Sequence, residues 1–131
     1  MKVNTVCIVD DDQIYQVTSK KMIERINATN NILIFSNGEE AFHFLLQTVS
    51  DADALPDIIF LDVNMPYMDA WQFLEAFETI KFRLPKKITI YVISSSVSET
   101  DIQRAKKIPT VKDYYIKPIS MDQYSEMLVG V

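Results

Sequence analysis

Four short stretches hold the residues able to do chemistry, and each follows an apolar run. Asp10-Asp11-Asp12 follows the run Val3 to Val9, and Asp62 follows Ile58 to Leu61. Ser94-Ser95-Ser96 follows Ile88 to Ile93, and Lys117-Pro118 follows Tyr114 to Ile116. Carboxylates brought close together repel, so one binds a proton or a cation neutralises them. No cysteine or histidine accompanies them, and an all-oxygen donor set suits a hard cation such as Mg²⁺, which shares its shell readily with phosphate oxygens. A carboxylate is also a nucleophile that can form an acyl phosphate. Phosphoryl transfer asks mainly for positioning and charge neutralisation. Asp62 as acceptor, Mg²⁺ on one side, the Lys117 ammonium on the other and the Ser94 hydroxyl as a further donor make a complete set for taking up a phosphoryl group.

The elements between these stretches must gather them. Val3 to Val9, Ile32 to Phe35, Ile58 to Leu61, Ile88 to Ile93 and Tyr114 to Ile116 read as five strands. The consecutive apolar positions of the third suit a strand covered on both faces. Between them run helical patterns. Ile14, Val17, Met22 and Ile26 mark the first, with Asn30-Asn31 as the following turn. Ser36 and Glu39 form a capping-box pattern opening the second, whose stripe is Ala41, Phe42, Leu45, Leu46 and Val49. Pro66 to Asp69 reads as a turn before a third helix over Trp71 to Ile80, with Phe73, Leu74, Phe77 and Ile80 inward. Ser98 is the expected cap of a fourth, with a thin stripe of Ile102, Ala105 and Ile108 that predicts a marginal, mobile helix. Ser120 caps a fifth, carrying Tyr124, Met127 and Leu128. Strand alternating with helix implies βα units, a parallel sheet and right-handed crossovers. Ligands of such open sheets bind outside the carboxyl ends of the strands, where all four polar stretches lie.

Bulk properties narrow the function further. The 131 residues fit a single domain, with 48% hydrophobic and 24% charged residues. A net charge of −5 with only scattered lysine pairs excludes a non-specific nucleic-acid binder. No apolar run is long enough to span a bilayer, and the start at Lys2 flows from a short strand into acidic residues rather than forming a leader peptide. The one cysteine, Cys7, lies in an apolar run and reads as a buried, inert thiol of a cytoplasmic protein. His43 falls on the second helix, away from the acidic edge, and is not a ligand. Trp71, Met65 and Met68 read as packing and turn residues.

Taken together, Val9-Asp10-Asp11, Leu61-Asp62-Val63-Asn64-Met65-Pro66, Ser94 and Lys117-Pro118 closely resemble the receiver domain of bacterial two-component response regulators, in a stand-alone, chemotaxis-regulator-like form. The likeness covers essentially the whole chain. It implies a doubly wound, flavodoxin-like fold with five parallel strands in the order 2-1-3-4-5 and helices on both faces. It implies that Asp62 is the phosphoacceptor, with Asp11 on Mg²⁺ directly, Asp10 mainly through a metal-bound water, and the backbone carbonyl of Asn64 completing the protein's share; Mn²⁺ is the alternative ion. Lys117 would contact the phosphoryl oxygens and precede a cis bond to Pro118. Ser94 would be drawn toward the phosphoryl group, with Tyr114 as the aromatic that swings inward and Tyr115 pointing the opposite way. Asn64 and Ser96, flanking the path of attacking water, are candidates for setting the phosphoryl lifetime.

The expected protein is thus one receiver domain over 1–131 without an output domain. It would phosphorylate and dephosphorylate itself rather than turn over a substrate. Its donor would be a sensor histidine kinase or histidine phosphotransfer protein. Its output would be a downstream protein contact or phosphate relay, made as a monomer or weak dimer through the fourth helix, fifth strand and fifth helix. Neither nucleic acid nor membrane is an expected partner. Two points stay open on the residues alone. Asp12 could replace Asp10 in the acidic pair, although its place suits a helix cap. Ala70 stands where the family commonly has glycine, which matters only if that backbone needs positive φ. A phosphatase of the haloacid dehalogenase type would instead use Asp10 and Asp12, but it leaves Asp62 without a role and finds only Asp122 and Glu126 for its last acidic motif. A degenerate receiver that binds partners without phosphate is opposed by the intact acidic set.

Overall fold

In a computed structural model, residues 3–129 are described, so Lys2 lies outside them. The elements alternate as β1 (Val3–Val9), α1 (Gln13–Ile26), β2 (Thr29–Phe35), α2 (Gly38–Gln47), β3 (Ile58–Asp62), α3 (Ala70–Ile80), β4 (Thr89–Ser94), α4 (Glu99–Lys106), β5 (Val111–Ile116) and α5 (Met121–Val129), with a short 3₁₀ turn over Lys81–Arg83. The strands form one parallel sheet in the order β2-β1-β3-β4-β5.

Strand alternation divides the core between the sheet's two faces. Cys7, Val9, Ile59, Leu61, Ile90 and Val92 point to one face, where Ala41 and Leu45 of α2, Phe73 and Phe77 of α3 and Ala105 of α4 cover them. Val6, Ile8, Ile58, Phe60, Tyr91 and Ile93 point to the other, under Ile23 of α1 and Tyr124, Met127 and Leu128 of α5. Every residue of β3 and β4 is buried, as strands covered on both faces must be.

Several local expectations shift. The α1 stripe is rotated: Ile14 and Val17 are exposed, at 80% and 52%. The face that packs carries Ser19 and Ile23, with Tyr15, Met22 and Ile26 partly buried. Ser19 can be buried because its hydroxyl accepts a hydrogen bond from the Tyr124 hydroxyl at 2.8 Å, so a polar residue occupies a core position. Asn30 and Asn31 are not a turn but part of edge strand β2; the chain turns at Asn27, which closes α1 in the left-handed conformation at φ 57°. The α2 cap moves by one residue. Asn37 accepts from the Glu40 N–H at 2.9 Å, while the Glu40 carboxylate accepts from the Ser36 N–H at 3.1 Å. Leu46, expected inward, is exposed. Ser120 does form a reciprocal box, accepting from the Gln123 N–H while the Gln123 side chain accepts from its own. Ser98 stands at the α4 N-cap, yet its side chain makes no capping bond.

Candidate functional site

The carboxyl ends of β1, β3, β4 and β5 converge as the sheet order requires. Asp10 leaves β1 with its N–H donating to the Phe35 carbonyl at 3.0 Å. Asp62 is the last residue of β3 and lies in register with Ile93, so Ser94 is the next residue of the neighbouring strand. The Lys117 N–H donates to the Ser94 carbonyl at 2.8 Å, which brings the end of β5 back onto that of β4. The Lys117–Pro118 bond is cis.

Charge is tightly gathered here. The Lys117 ammonium lies 2.7 Å from Asp10 Oδ2 and 3.3 Å from Asp62 Oδ1. Asp10 and Asp62 are buried, and Asp11 is exposed. Each of the three offers an oxygen within 4.8 Å of the others'. Burial, and then repulsion from Asp10, push the Asp62 carboxyl up to about 6, against the downward pull of Lys117 and of the Val63 N–H. Burial alone would lower the Lys117 ammonium, but its bonds to Asp10 and Asp62 outweigh this and raise it. One ammonium facing two buried carboxylates leaves negative charge uncompensated, with Asp11 adding more at the rim. Three carboxylates at this spacing fit a hard divalent cation.

The register of the acidic run follows from geometry. Asp12 is the α1 N-cap, accepting from the Ile14 and Tyr15 N–H groups at 3.0 and 3.1 Å. Its own N–H donates to Asp10 Oδ1 at 2.9 Å. Asp10 and Asp11 therefore face Asp62, while Asp12 starts the helix. Asn64 is exposed, two residues past β3. Ala70 opens α3 fully buried, and the positive φ of this loop falls on Tyr67, at 66°. Alanine is thus accommodated, and the strained residue is an exposed tyrosine instead.

On the β4 side, Ser94 is buried and its hydroxyl accepts from the Ser96 N–H at 3.0 Å. The Tyr114 hydroxyl donates to the Ser96 carbonyl at 2.8 Å, with the ring half-buried against the α2–α4 face. Tyr115 points to the other face and meets Tyr91 edge-on, centroids 5.8 Å apart. The Ser96 hydroxyl donates to Asp101 at 2.9 Å and accepts from the Ser98 N–H at 3.1 Å, tying the loop to the first turn of α4. His43 is exposed on α2, outside this group, and Cys7 is buried, its thiol pushed well above the ordinary range by burial.

Two neighbours of the site escape a reading of the sequence. Tyr15, in the first turn of α1, places its ring centroid 4.2 Å from the Lys117 ammonium. Gly38, at the start of α2, donates its N–H to the Met68 carbonyl at 3.1 Å, and a methyl group there would lie 2.7 Å from that oxygen. Both depend on loops meeting across the sheet edge, which spacing along the chain does not encode. The glycine before two glutamates was the one available cue.

Residues 6–129 match the family model of the response regulator receiver domain. The chain belongs to that family. This receiver domain is 29% identical over 115 residues to a sensor histidine kinase, CheAY, of Helicobacter pylori, a match covering 88% of this chain and 13% of the kinase. It is 24% identical over 123 residues to a probable C4-dicarboxylate response regulator, DctR, of Bacillus subtilis, covering 94% of this chain and 50% of that protein. The chain thus spans half or less of the length of these relatives. A two-component response regulator from Cytophaga hutchinsonii shares the fold, with a TM-score of 0.87 at 24% identity over 97% of this chain and 95% of that one. The receiver is therefore a module of two-component signalling, and the flavodoxin-like strand order expected from the sequence is the one observed.

Proposed function

We propose that this receiver is a phosphorylation switch in which Asp62 takes a phosphoryl group from a phosphohistidine of a sensor kinase or phosphotransfer protein. The observation that carries the reading is the position of the Lys117 ammonium between Asp10 and Asp62, beside carboxylates with more negative charge than it can balance. In the reaction the Asp62 Oδ–P bond forms as the histidine N–P bond breaks, and the imidazole leaves with the bonding pair. Asp10, Asp11, Asp62 and the Asn64 backbone carbonyl would hold Mg²⁺, or Mn²⁺ in its place. The ion supplies positive charge to the phosphoryl oxygens when bound.

Lys117 neutralises the opposite side of the transferring group by exchanging its bond to Asp10 for one to a phosphoryl oxygen. The Ser94 hydroxyl, which accepts from the Ser96 N–H, turns to donate its O–H to another phosphoryl oxygen and releases Ser96, and Tyr114, bonded to Ser96, follows it. That sequence would carry the change to α4, β5 and α5, where Val97 and Ile116 already expose apolar surface for a partner protein. Hydrolysis of the acyl phosphate resets the domain, so it is a signalling switch and not a turnover enzyme. Asp12, committed to capping α1, is poorly placed to act as the second aspartate of a phosphatase. A cytoplasmic site of action belongs to the same reading; among the described residues no helix is long and apolar enough to cross a membrane.

Intact-mass measurement after incubation with acetyl phosphate tests the proposal. One added phosphoryl group is expected in the presence of Mg²⁺, with little added in excess chelator and none in Asp62→Asn. Absence of any adduct with acetyl phosphate, phosphoramidate and a phosphorylated histidine protein alike overturns it.

A further inference from the structure

Lys117 has three N–H donors, and carboxylates take only two of its directions. What faces it otherwise is the Tyr15 ring, centroid 4.2 Å away, and the side chain as a whole is 16% exposed. The ring is held at both ends. Its backbone N–H donates to the Asp12 carboxylate at 3.1 Å, which fixes it in the first turn of α1. Its hydroxyl lies 3.2 Å from the Tyr124 hydroxyl, which in turn donates to Ser19 one turn further along α1. Tyr124 is buried and meets Phe60 of β3 edge-on, centroids 5.3 Å apart. The ring beside Lys117 is thus anchored through Tyr124 to the strand that carries Asp62.

We infer that Tyr15 is a positioning residue for Lys117, its ring face keeping the ammonium over the Asp10–Asp62 pair while its hydrogen-bond partners change. This rests on the reading of Asp62 as phosphoacceptor, in which Lys117 must release Asp10 and find a phosphoryl oxygen. A third carboxylate at this place would hold the ammonium by charge and oppose that exchange. Water would let it leave the site. An aromatic face attracts a cation without requiring one direction of approach, and does so more strongly when the cation is desolvated. It therefore stays with Lys117 before and after the exchange. The same contact joins the phosphoryl site to the α1–α5 packing through Tyr124.

The test compares phosphoryl uptake from phosphoramidate with Mg²⁺ in wild type, Tyr15→Phe and Tyr15→Leu, each with Lys117 present and with Lys117→Ala. Tyr15→Leu is expected to slow uptake about three- to ten-fold when Lys117 is present, and to have no further effect when it is absent. Tyr15→Phe keeps the ring and its packing and loses only the hydroxyl contact to Tyr124, so it is expected to slow uptake clearly less than Tyr15→Leu. Slowing by Tyr15→Leu that is equal in both backgrounds, or equal in Phe and Leu, overturns the inference. A second measurement uses the metal-free protein. The Lys117 ε-methylene proton resonances are expected upfield, from the ring current, in wild type and Tyr15→Phe, and at ordinary lysine positions in Tyr15→Leu. An unshifted wild-type resonance overturns the contact. If wild type takes up no phosphoryl group, the role of Asp62 fails, while the resonance of Lys117 still decides whether Tyr15 holds it.

Discussion

Helices α3 and α4 cover the same face of the sheet, yet they are attached in different ways. α3 buries Ala70, Trp71, Phe73, Leu74, Phe77 and Ile80 and opens with a complete capping box between Asp69 and Gln72. α4 buries only Ala105, and the side chain of its cap residue Ser98 makes no capping bond. Its first turn is tied down by the Ser96 hydroxyl on Asp101 and, through Ser96, to Ser94 and Tyr114. Burial of apolar surface is non-directional and has no substitute partner, so α3 stays where it packs. Hydrogen bonds can be exchanged one for another at small net cost. In the proposed switch, the helix expected to respond is therefore the one held by the hydrogen bonds around Ser94 and Ser96. The helix behind Asp62 serves as a fixed wall.

The largest effect should come from breaking the wall. Phe77→Ala removes a fully packed ring and is expected to cost about 3–5 kcal/mol in urea unfolding; a cost below that of a polar α4 substitution would erase the contrast. Gly38→Ala comes next, because its methyl meets the Met68 carbonyl that anchors the β3–α3 loop. About 1–3 kcal/mol of destabilisation is expected, with shifted amide resonances in Met65 to Asp69; an unperturbed loop would contradict the close contact.

Asp62→Asn should act in the opposite direction in the metal-free protein. The Asp62 carboxyl is raised from 3.8 to about 6 on folding, so between these values the folded state binds more protons than the unfolded state. Stability from this group therefore falls as pH rises from about 4 to about 6, and its ionisation penalty is fully present above that. The variant's advantage is expected to grow over the same window, level off by about pH 7 at on the order of 1 kcal/mol, and shrink when Mg²⁺ is added to both proteins. Thermal melts across pH check this, and an advantage largest at low pH would contradict it. Ser96→Ala is expected to be no larger in global stability, at about 0.5–1 kcal/mol. Its loss should be local, with faster hydrogen exchange in Glu99 to Lys106 and no change in Ala70 to Ile80.

The parallel sheet was legible in the sequence because strand alternates with helix, which puts the polar strand ends on one edge, whereas the strand order followed from the resemblance to the receiver family and is the one observed. Asp10, Asp11, Asp62 and Lys117 meet at that edge, with Ser94 at the end of the strand beside Asp62. The register of the acidic run stayed open on the residues alone; the capping bonds of Asp12 and the grouping of Asp10 and Asp11 with Asp62 decide it. What could not be read depends on contacts between distant segments. The α1 stripe was mis-phased because a serine satisfied by Tyr124 holds a core position that apolar periodicity passes over, while Ile14 and Val17 face outward. The α2 cap slipped by one residue because Ser36 and Asn37 are both good caps, each followed three residues later by a glutamate, so the sequence pattern does not separate them. Tyr15 lies in sequence beside the aspartates, but its partner Lys117 arrives from the far end of the chain.

The most direct measurement is to locate the phosphoryl group on the chain. Protein loaded from a phosphorylated histidine donor in Mg²⁺ is reduced with borohydride, which converts an aspartyl phosphate to homoserine, and then mapped by peptide mass spectrometry. Conversion confined to Asp62 is expected. Conversion at Asp10, Asp11 or Asp12, or none after a donor that has lost its phosphoryl group to the protein, would contradict a switch built around the end of β3.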